Sequence, residues 1–294
     1  MPDADVSAKK VEKDFGIGIP MQTPGEFFLK GAGSLGWGMQ NRLSRIFNPE
    51  TGKAVMLAFD HGYIMGPTSG IERMDLSIPP LIPHVDCLMC TRGAIAQVIS
   101  PTCTKPVVLR CSTGATVLKE LSDEVIGVTI EDAIRLNAAA VTAQVYIGGP
   151  GEKVSLTNLS YLINEGNRYG IPTLGVTAVG RELTRDSRYL GLACRVIAEL
   201  GAHYVKTYFC AEGFEEVVAG TPVPIVIAGG KKIPEPDALE MAYQAIDQGA
   251  AGVDMGRNIF VAEDPVAMVQ AVRAVVHENV KPDKAFEMYN DLKA

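Results

Sequence analysis

The chain has 294 residues, of which 47% are hydrophobic and 21% are charged, as is typical of a globular protein with a large core. Its net charge of −7 argues against general binding to nucleic acids or anionic membranes, because both need a basic surface. No apolar run approaches the ~20 residues that cross a bilayer, and the polar N-terminal sequence is unlike a secretory signal. A small anionic substrate remains compatible with this composition.

The six cysteines are scattered through apolar segments, which predicts reduced thiols and a cytoplasmic protein. Cys87 and Cys90 have C-x-x-C spacing within "VDCLMC". Residues three apart on a strand point to opposite faces, so we interpret both as core residues. No bound metal is predicted.

Short β-rich runs alternate with segments of helical period along most of the chain. The predicted strands cover residues 54–60, 86–90, 106–111, 140–148, 172–179, 203–208, 224–230 and 251–260. The predicted helices include residues 130–139, 187–202, 236–250 and 264–279. In the last of these, Asp264 suits the N-cap and Pro265 the first helical position.

The predicted strands have little polar alternation, which indicates a parallel sheet buried on both faces. Eight such strands favour a (β/α)₈ TIM barrel, with residues 51–280 as a single catalytic domain. Residues 1–50 and 281–294 are predicted to be extensions that pack on the barrel or on a neighbouring subunit, and 112–129 an excursion at its rim. A doubly wound open sheet is the alternative, but "AFDHGYIMG" lacks the G-x-G-x-x-G turn expected after its first strand.

A lysine interrupts the apolar stretch "GAHYVKTYF" at residues 201–209. Alternation along a strand places Tyr204, Lys206 and Tyr208 on one face. Lysine is rarely buried without a partner or a function. Considered alone, the stretch favours an exposed edge strand whose ammonium group lies in water.

Barrel active sites lie where the strands end, at the carboxyl side of the sheet. Polar or glycine residues stand at the ends of three predicted strands: Asp60 and His61 after the first, Gly229 and Gly230 after the seventh, and Gly256 and Arg257 after the eighth. Individually, each is at least as compatible with a cap, a packed histidine or a tight turn. Together they favour an active site at this end of the barrel.

Glycines beside Lys231, Lys232 and Arg257 are typical of a phosphate site, because backbone N–H groups can approach the phosphate oxygens closely. Lys206 on the sixth strand would project into the same end of the barrel, which we call its mouth. Burial among apolar neighbours favours a neutral amine, and so do nearby cations. A neutral amine can attack a carbonyl. We therefore predict that Lys206 forms a Schiff base with a phosphorylated ketone, and that Asp60 orients it or moves protons.

The segments "LAFDHG", "VKTY", "IVIAGGKK" and "GVDMGRNIF" resemble strand ends of the class I aldolase family that includes archaeal-type fructose-bisphosphate aldolases. The resemblance implies that Lys206 is the Schiff-base residue and that Asp60 lies beside the substrate. It implies phosphate ligands at four positions: Gly229, Gly230, Gly256 and Arg257. We place His61 in the same substrate site. The family also implies a homo-oligomer, a decamer of barrels.

Longer stretches such as "RLNAAAVTAQVYIG" and "VAGTPVPIVIAGGKK" resemble a thiolase branch of this family. That branch implies transfer of an acetyl group from a phosphorylated pentanedione to coenzyme A, a cosubstrate, in autoinducer-2 degradation. Acetyl-CoA and dihydroxyacetone phosphate would be the products, and no bound cofactor is implied.

One departure from the family pattern is the fifth strand, where the aldolases carry a tyrosine acid/base and this chain has "VTAVG" at 176–180. Retro-aldol cleavage needs a base for the substrate hydroxyl, whereas thiolysis of a dione does not. His61 is one candidate for a substitute base. The alternatives are an aldolase that cleaves a phosphorylated sugar or sulfosugar to dihydroxyacetone phosphate and an aldehyde, and a non-catalytic sugar-phosphate binder. The latter is disfavoured because Lys206 is present.

Overall fold

Eight parallel strands close into a barrel in the computed structural model, which describes residues 15–21, 25, 27–114, 116–179 and 185–293. The strands are β1 (Ala54–Ala58), β2 (Cys87–Cys90), β3 (Val107–Arg110), β4 (Ser112–Gly114), β5 (Glu124–Ile126), β6 (Ala140–Ile147), β7 (Thr173–Val179), β8 (Tyr204–Thr207), β9 (Ile225–Ala228) and β10 (Gly252–Met255). The order around the barrel is β1-β10-β9-β8-β7-β6-β3-β2, and β4 and β5 form a separate hairpin. The predicted TIM barrel is confirmed and the open sheet is wrong, since β1 pairs with both β10 and β2.

Helices follow most of the barrel strands and cover the outside of the sheet. They are α1 (Trp37–Ile46), α2 (Gly62–Met65), α3 (Met74–Ser77), α4 (Arg92–Val98), α5 (Ile130–Arg135), α6 (Glu152–Tyr169), α7 (Ser187–Glu199), α8 (Phe214–Gly220), α9 (Glu235–Asp247), α10 (Arg257–Phe260), α11 (Pro265–Glu278) and α12 (Pro282–Leu292), with a 3₁₀ helix at Pro79–His84. Asp264 caps α11 as predicted, because its carboxylate accepts the Ala267 N–H at 2.9 Å. The helix predicted at 130–139 ends earlier, at Arg135. Two residues further on, Asn137 adopts the left-handed conformation.

The last predicted strand, 251–260, is wrong in its second half. β10 ends at Met255, and α10 begins at Arg257. At Gly256 the chain passes so close to β1 that a Cβ atom would lie 2.2 Å from the Ala58 carbonyl oxygen. The Gly256 carbonyl then accepts the N–H of Ile259 at 2.8 Å, which starts the helical turn. Arg257 therefore stands on a helix at the barrel mouth rather than on a strand.

Two apolar layers hold the barrel together, one inside it and one between the strands and the helices. The inner layer includes Met56, Met89 and Tyr204, and the outer layer includes Leu57 and Leu88. The fully buried Cys87 and Cys90 belong to the inner and outer layers respectively. This confirms that they pack in the core on opposite faces of β2.

Part of each predicted extension packs on the barrel. In the N-terminal one, α1 closes the barrel end opposite the mouth, and the ring of Phe47 meets Tyr204 edge-on at 5.4 Å between centroids. In the C-terminal one, Tyr289 of α12 is buried and its hydroxyl accepts the Asp264 N–H at 3.3 Å. Residues 1–14, 22–24, 26 and 294 lie outside the described residues. No helix in the described ranges is long and apolar enough to span a bilayer.

The hairpin of β4 and β5 begins directly after β3, within the stretch predicted as a rim excursion. It is fastened back to the barrel where the N–H of Gly127 donates to the Cys111 carbonyl at 2.9 Å. This return turns the buried Glu124 towards the mouth, where it meets Arg110 at 3.1 Å. The hairpin thus contributes a charged side chain to the barrel mouth.

A carboxylate at the opposite end joins the first two barrel strands to α11. Asp86 accepts the Val55 N–H at 2.7 Å, and its two oxygens contact Arg273 and His277, each at 2.7 Å. Burial would raise the pKa of Asp86, but hydrogen bonds from His277 and Arg273 outweigh it and hold the pKa below its usual range. The ionised carboxylate therefore stabilises the folded state.

We expect Asp86→Asn to lower the free energy of unfolding at pH 7 by about 2 kcal/mol, the order of one hydrogen bond to a charged group. A depressed pKa stabilises the fold above the unfolded value of about 4, and this stabilisation is lost as the pH falls through the folded value. The difference between wild type and variant in urea denaturation should therefore shrink below about pH 4. Asp75→Asn, which removes an exposed carboxylate paired with Arg73, should change stability little. A pH-independent difference would contradict this assignment.

Candidate active site

One cavity at the C-terminal end of the barrel brings together every site residue predicted from the sequence. Its volume is about 170 Å³. The predicted residues in its wall are Asp60, His61, Lys206, Gly229, Gly230, Gly256 and Arg257. Further side chains in the wall come from β2, β3, β6 and β10: Met89, Arg110, Gln144 and Asp254. The strand ends thus meet as expected for a barrel enzyme.

Lys206 lies at the floor of this cavity, on the inward face of β8. It is 8% exposed, and β8 pairs with β7 on one side and β9 on the other. The edge-strand alternative is therefore wrong. Its Nζ lies 2.8 Å from Oδ2 of Asp254 and 3.6 Å from the sulfur of Met89. The nearest charged neighbour of the amine is a carboxylate, not the cations that we expected.

Asp254 is 1% exposed and sits on β10. Among the described residues, neither of its carboxylate oxygens has a well-aligned hydrogen bond, so the contact with Lys206 is an ion pair at short distance. Burial raises the pKa of Asp254, and the attraction of Lys206 only partly opposes this. Asp254 can therefore receive a proton from its neighbour more readily than an exposed aspartate could.

A second buried ion network stands across the cavity and includes Asp60. Arg110, which is 4% exposed, lies 3.5 Å from Asp60 and 3.1 Å from Glu124, and donates to Gln144 at 2.5 Å. The Tyr63 hydroxyl donates to the same Glu124 at 2.6 Å. Asp60 is thus held in place by Arg110 rather than simply capping a turn.

Two tyrosines border this network as hydrogen-bond donors. Tyr63 and Tyr146 both donate to Glu124, and burial raises the pKa of each phenol well above its usual range. Tyr146 is paired in register with Ala178 of β7, the fifth barrel strand. The stretch "VTAVG" stands where the aldolases carry their tyrosine. The structure describes it as far as Val179, and Gly180 lies outside the described residues.

His61 lies at the entrance of the cavity. Its ring stacks on Phe260 with 5.9 Å between centroids, and its Nε2 contacts the Thr68 carbonyl at 3.4 Å. Burial lowers the pKa of His61, with a smaller opposing effect from Asp60. A neutral imidazole at the entrance can accept a proton near pH 7.

The glycines after β9 and β10 differ in what their conformations require. Gly230 has a φ of +67°, and no atom lies within 4 Å of where its Cβ would be, so its backbone faces open space. Asn258 fixes this loop, because its amide donates to the Gly229 carbonyl at 2.6 Å. Gly256, in contrast, is required by its close approach to Ala58. Packing alone thus explains Gly256, whereas nothing in the packing fills the space beside Gly230.

The three cationic residues beside these glycines in the sequence differ in whether they reach the cavity. Arg257 lines the cavity and is partly exposed. Lys232 instead pairs with Glu235 at 2.8 Å, and neither it nor the exposed Lys231 belongs to the cavity wall. Arg257 is thus the cation next to the glycines that could reach a bound phosphate.

Asp254, Arg110 and Glu124 were missed by the sequence reasoning. Asp254 and Arg110 carry the same signal that singled out Lys206, a charge inside an apolar strand. Glu124 carries no such signal, because it reaches the mouth only through the return of the hairpin.

The thiols of Cys111 and Cys210 do not line the cavity, and burial raises the pKa of Cys111 to about 12. Among the described residues, no group of acidic, cysteine or histidine side chains is arranged to hold a metal ion.

Comparison with known proteins assigns the family. The DeoC/LacD family aldolase pattern matches residues 54–262. The chain belongs to this family. It is 59% identical to the 3-hydroxy-5-phosphonooxypentane-2,4-dione thiolase of Photorhabdus laumondii over 286 residues, which cover 97% of this chain and 98% of that protein. A protein of the same name from Enterobacter sp. (strain 638) is 59% identical over 290 residues, 99% of this chain and 98% of that one.

Solved structures share the barrel fold. An archaeal fructose 1,6-bisphosphate aldolase superposes with a TM-score of 0.73 at 24% identity, covering 82% of this chain and 99% of that one. A fructose-bisphosphate aldolase from Slackia heliotrinireducens has a TM-score of 0.77 at 16% identity, covering 87% and 90%. The resemblance to the aldolase family predicted from the sequence is confirmed.

Proposed function

We propose that this protein is a Schiff-base thiolase that transfers an acetyl group from 3-hydroxy-5-phosphonooxypentane-2,4-dione to coenzyme A, with acetyl-CoA and dihydroxyacetone phosphate as products. The observation that carries the proposal is the buried Lys206, 2.8 Å from Asp254 at the floor of a barrel-mouth cavity. The names of the two relatives supply the substrate. The reaction would belong to the degradation of autoinducer-2.

The substrate phosphate would bind on the β9 and β10 side of the cavity. Gly229 and Gly230 would offer backbone N–H groups there, Arg257 a guanidinium, and Gly256 the close passage of the chain. The carbonyl next to the phosphorylated methylene would then lie over Lys206. The acetyl end would point to the opposite wall, where Asp60 is held by Arg110.

Imine formation would use the ion pair of Lys206 and Asp254. Lys206 gives one proton to Asp254, and the free amine attacks the carbonyl to form a carbinolamine. The protonated Asp254 returns that proton as the carbinolamine oxygen leaves as water. The product is a cationic iminium beside a carboxylate, so the cavity floor has the same net charge before and after the step.

Thiolysis would follow at the acetyl carbonyl. The coenzyme A thiol loses a proton to Asp60, with His61 as the alternative acceptor, and sulfur bonds to the carbonyl carbon. Arg110 and Gln144 face the developing oxyanion as polar groups fixed before the reaction. When the carbon–carbon bond breaks, its electrons pass to the iminium and form an enamine. The proton taken from sulfur goes to the enamine carbon, and hydrolysis releases dihydroxyacetone phosphate from Lys206.

The aldolase alternative requires a base for a substrate hydroxyl. The described part of the fifth barrel strand offers none, since Val176, Thr177 and Ala178 occupy its end. The nearby phenols of Tyr63 and Tyr146 are unavailable as bases, because their raised pKa values keep them protonated and both donate to Glu124. Thiolysis avoids this requirement.

The cytoplasmic location, the decamer and the catalytic-domain bounds of 51–280 stay predictions.

Product analysis tests this proposal. We expect the phosphorylated pentanedione to yield acetyl-CoA and dihydroxyacetone phosphate in equal amounts, only when coenzyme A is present. Fructose 1,6-bisphosphate should be cleaved at a rate at least about 100-fold lower, the order expected when a general base is missing. Efficient cleavage of that sugar without coenzyme A would instead establish the aldolase.

The phosphate-binding role of Gly230 has a matched control. Gly230 and Gly52 have φ values of +67° and +66°, and neither Cβ would meet an atom within 4 Å. Alanine at either position should cost about 1 kcal/mol of backbone strain. Only Gly230→Ala should raise the KM for the phosphorylated dione, by roughly tenfold, since its methyl group would keep phosphate from the backbone. If the KM of a dephosphorylated analogue rose equally, Gly230 would be a turn residue only.

A further inference from the structure

A second cavity of about 590 Å³ opens beside the reaction cavity. The walls of both cavities include Asp60 and Tyr63, so the larger space adjoins the place where the acetyl end would lie. Its outer walls are the segment from α2 to α3 and the helix α4. A molecule in this cavity could therefore extend one end into the reaction cavity while the phosphorylated substrate occupies the other side.

The wall of this second cavity suits a slender, uncharged ligand. Apolar side chains such as Phe59, Ile71 and Val98 line it together with the hydrogen-bonding Thr91 and Gln97. Two of its three carboxylates, those other than Asp60, have partners in the outer wall. Glu72 accepts the Gly70 N–H at 3.0 Å, and Asp75 pairs with Arg73 at 2.5 Å. An apolar wall with few polar groups is the usual lining of a small-molecule site.

The orientation of the substrate determines which reactant would use this space. β8, β9 and β10 supply Lys206 and the glycines, so the imine and the phosphate occupy their side of the mouth. The acetyl carbonyl then faces Asp60 and Arg110, and the second cavity begins behind that wall. A nucleophile held in the second cavity would therefore reach the acetyl carbon past Asp60 and Tyr63.

We propose that the second cavity binds the pantetheine arm of coenzyme A, with its thiol at Asp60 and Tyr63 and its phosphates outside the cavity. This proposal rests on the proposed function and names the binding site of its cosubstrate. The arm is narrow and neutral, carries two amides and ends in the thiol. In this position the sulfur gives its proton to Asp60 and bonds to the acetyl carbon, while the electrons of the broken carbon–carbon bond pass to the iminium on Lys206.

Filling the cavity tests the proposal. Gly93 lies in its wall in the first turn of α4, and no atom lies within 4 Å of where its Cβ would be, so Gly93→Phe can place a ring in the cavity without a backbone clash. Gly191 on α7 has equally open surroundings and lies in neither cavity wall, so Gly191→Phe is the control. We expect Gly93→Phe to raise the KM for coenzyme A on the order of tenfold or more. Its KM for the phosphorylated dione should stay within about twofold of the wild-type value.

Two further measurements separate this proposal from the proposed function. Calorimetry with desulfo-coenzyme A, which lacks the thiol, should show binding to wild type and Gly191→Phe and much weaker binding to Gly93→Phe. Borohydride trapping of dihydroxyacetone phosphate should be equal in all three proteins, which shows that the Schiff-base site is intact. An unchanged KM for coenzyme A in Gly93→Phe, with a coenzyme A-dependent wild type, would overturn only the cavity assignment. A wild type without any coenzyme A requirement would overturn both.

Discussion

The ion pair between Lys206 and Asp254 is the interaction on which the candidate site depends. Two charges 2.8 Å apart lie on the inward faces of β8 and β10, with relative exposures of 8% and 1%. Removing either partner of such a buried pair leaves an uncompensated charge, a cost of roughly 3–5 kcal/mol, whereas an apolar pair of similar volume would often be as stable. Packing alone therefore gives no reason for these two residues. A reaction that moves a proton between them does.

The closed barrel determines how a substrate can lie on this pair. Inward side chains of β8 and β10 form the floor, and the loop after β9 and the start of α10 bring Gly230 and Arg257 to one side. The hairpin after β3 brings Glu124 to Arg110 on the other side, and Arg110 in turn contacts Asp60. The cavity thus has a side with open backbone for an anion and a side with fixed charges and polar groups. A phosphorylated dione, with phosphate at one end and acetyl at the other, matches this division.

Much of this arrangement could be predicted from the sequence because a parallel barrel obeys simple periodic rules. Alternation along a strand placed Lys206 on the same face as Tyr204, and strand ends in a barrel must converge, which gathered Asp60, Gly230 and Arg257. The edge-strand alternative for Lys206 could be removed only by the pairing of β8 on both sides. Strand periodicity also could not reveal that Gly256 ends β10, since the cause is the close passage of β1.

The remaining parts of the site depend on tertiary contacts that leave no local pattern. Glu124 is distant from Tyr63 along the chain and joins it only because the hairpin folds back over the mouth. Lys232 follows the glycines along the chain, but it pairs with Glu235 and does not line the cavity. Asp254 is different. Like Lys206, it is a charged residue within an apolar strand. The rule that singled out Lys206 therefore also predicts Asp254 as a site residue.

The most direct measurement of the central claim is covalent trapping. Borohydride is added with dihydroxyacetone phosphate, and the labelled residue is located by mass spectrometry in wild type, Lys206→Met and Asp254→Asn. We predict a label on Lys206 in the wild type, none in Lys206→Met despite an intact fold, and a label on Lys206 in Asp254→Asn that forms about 100-fold more slowly, as expected when proton transfer is lost. A label on another lysine, or turnover by Lys206→Met, would contradict the account.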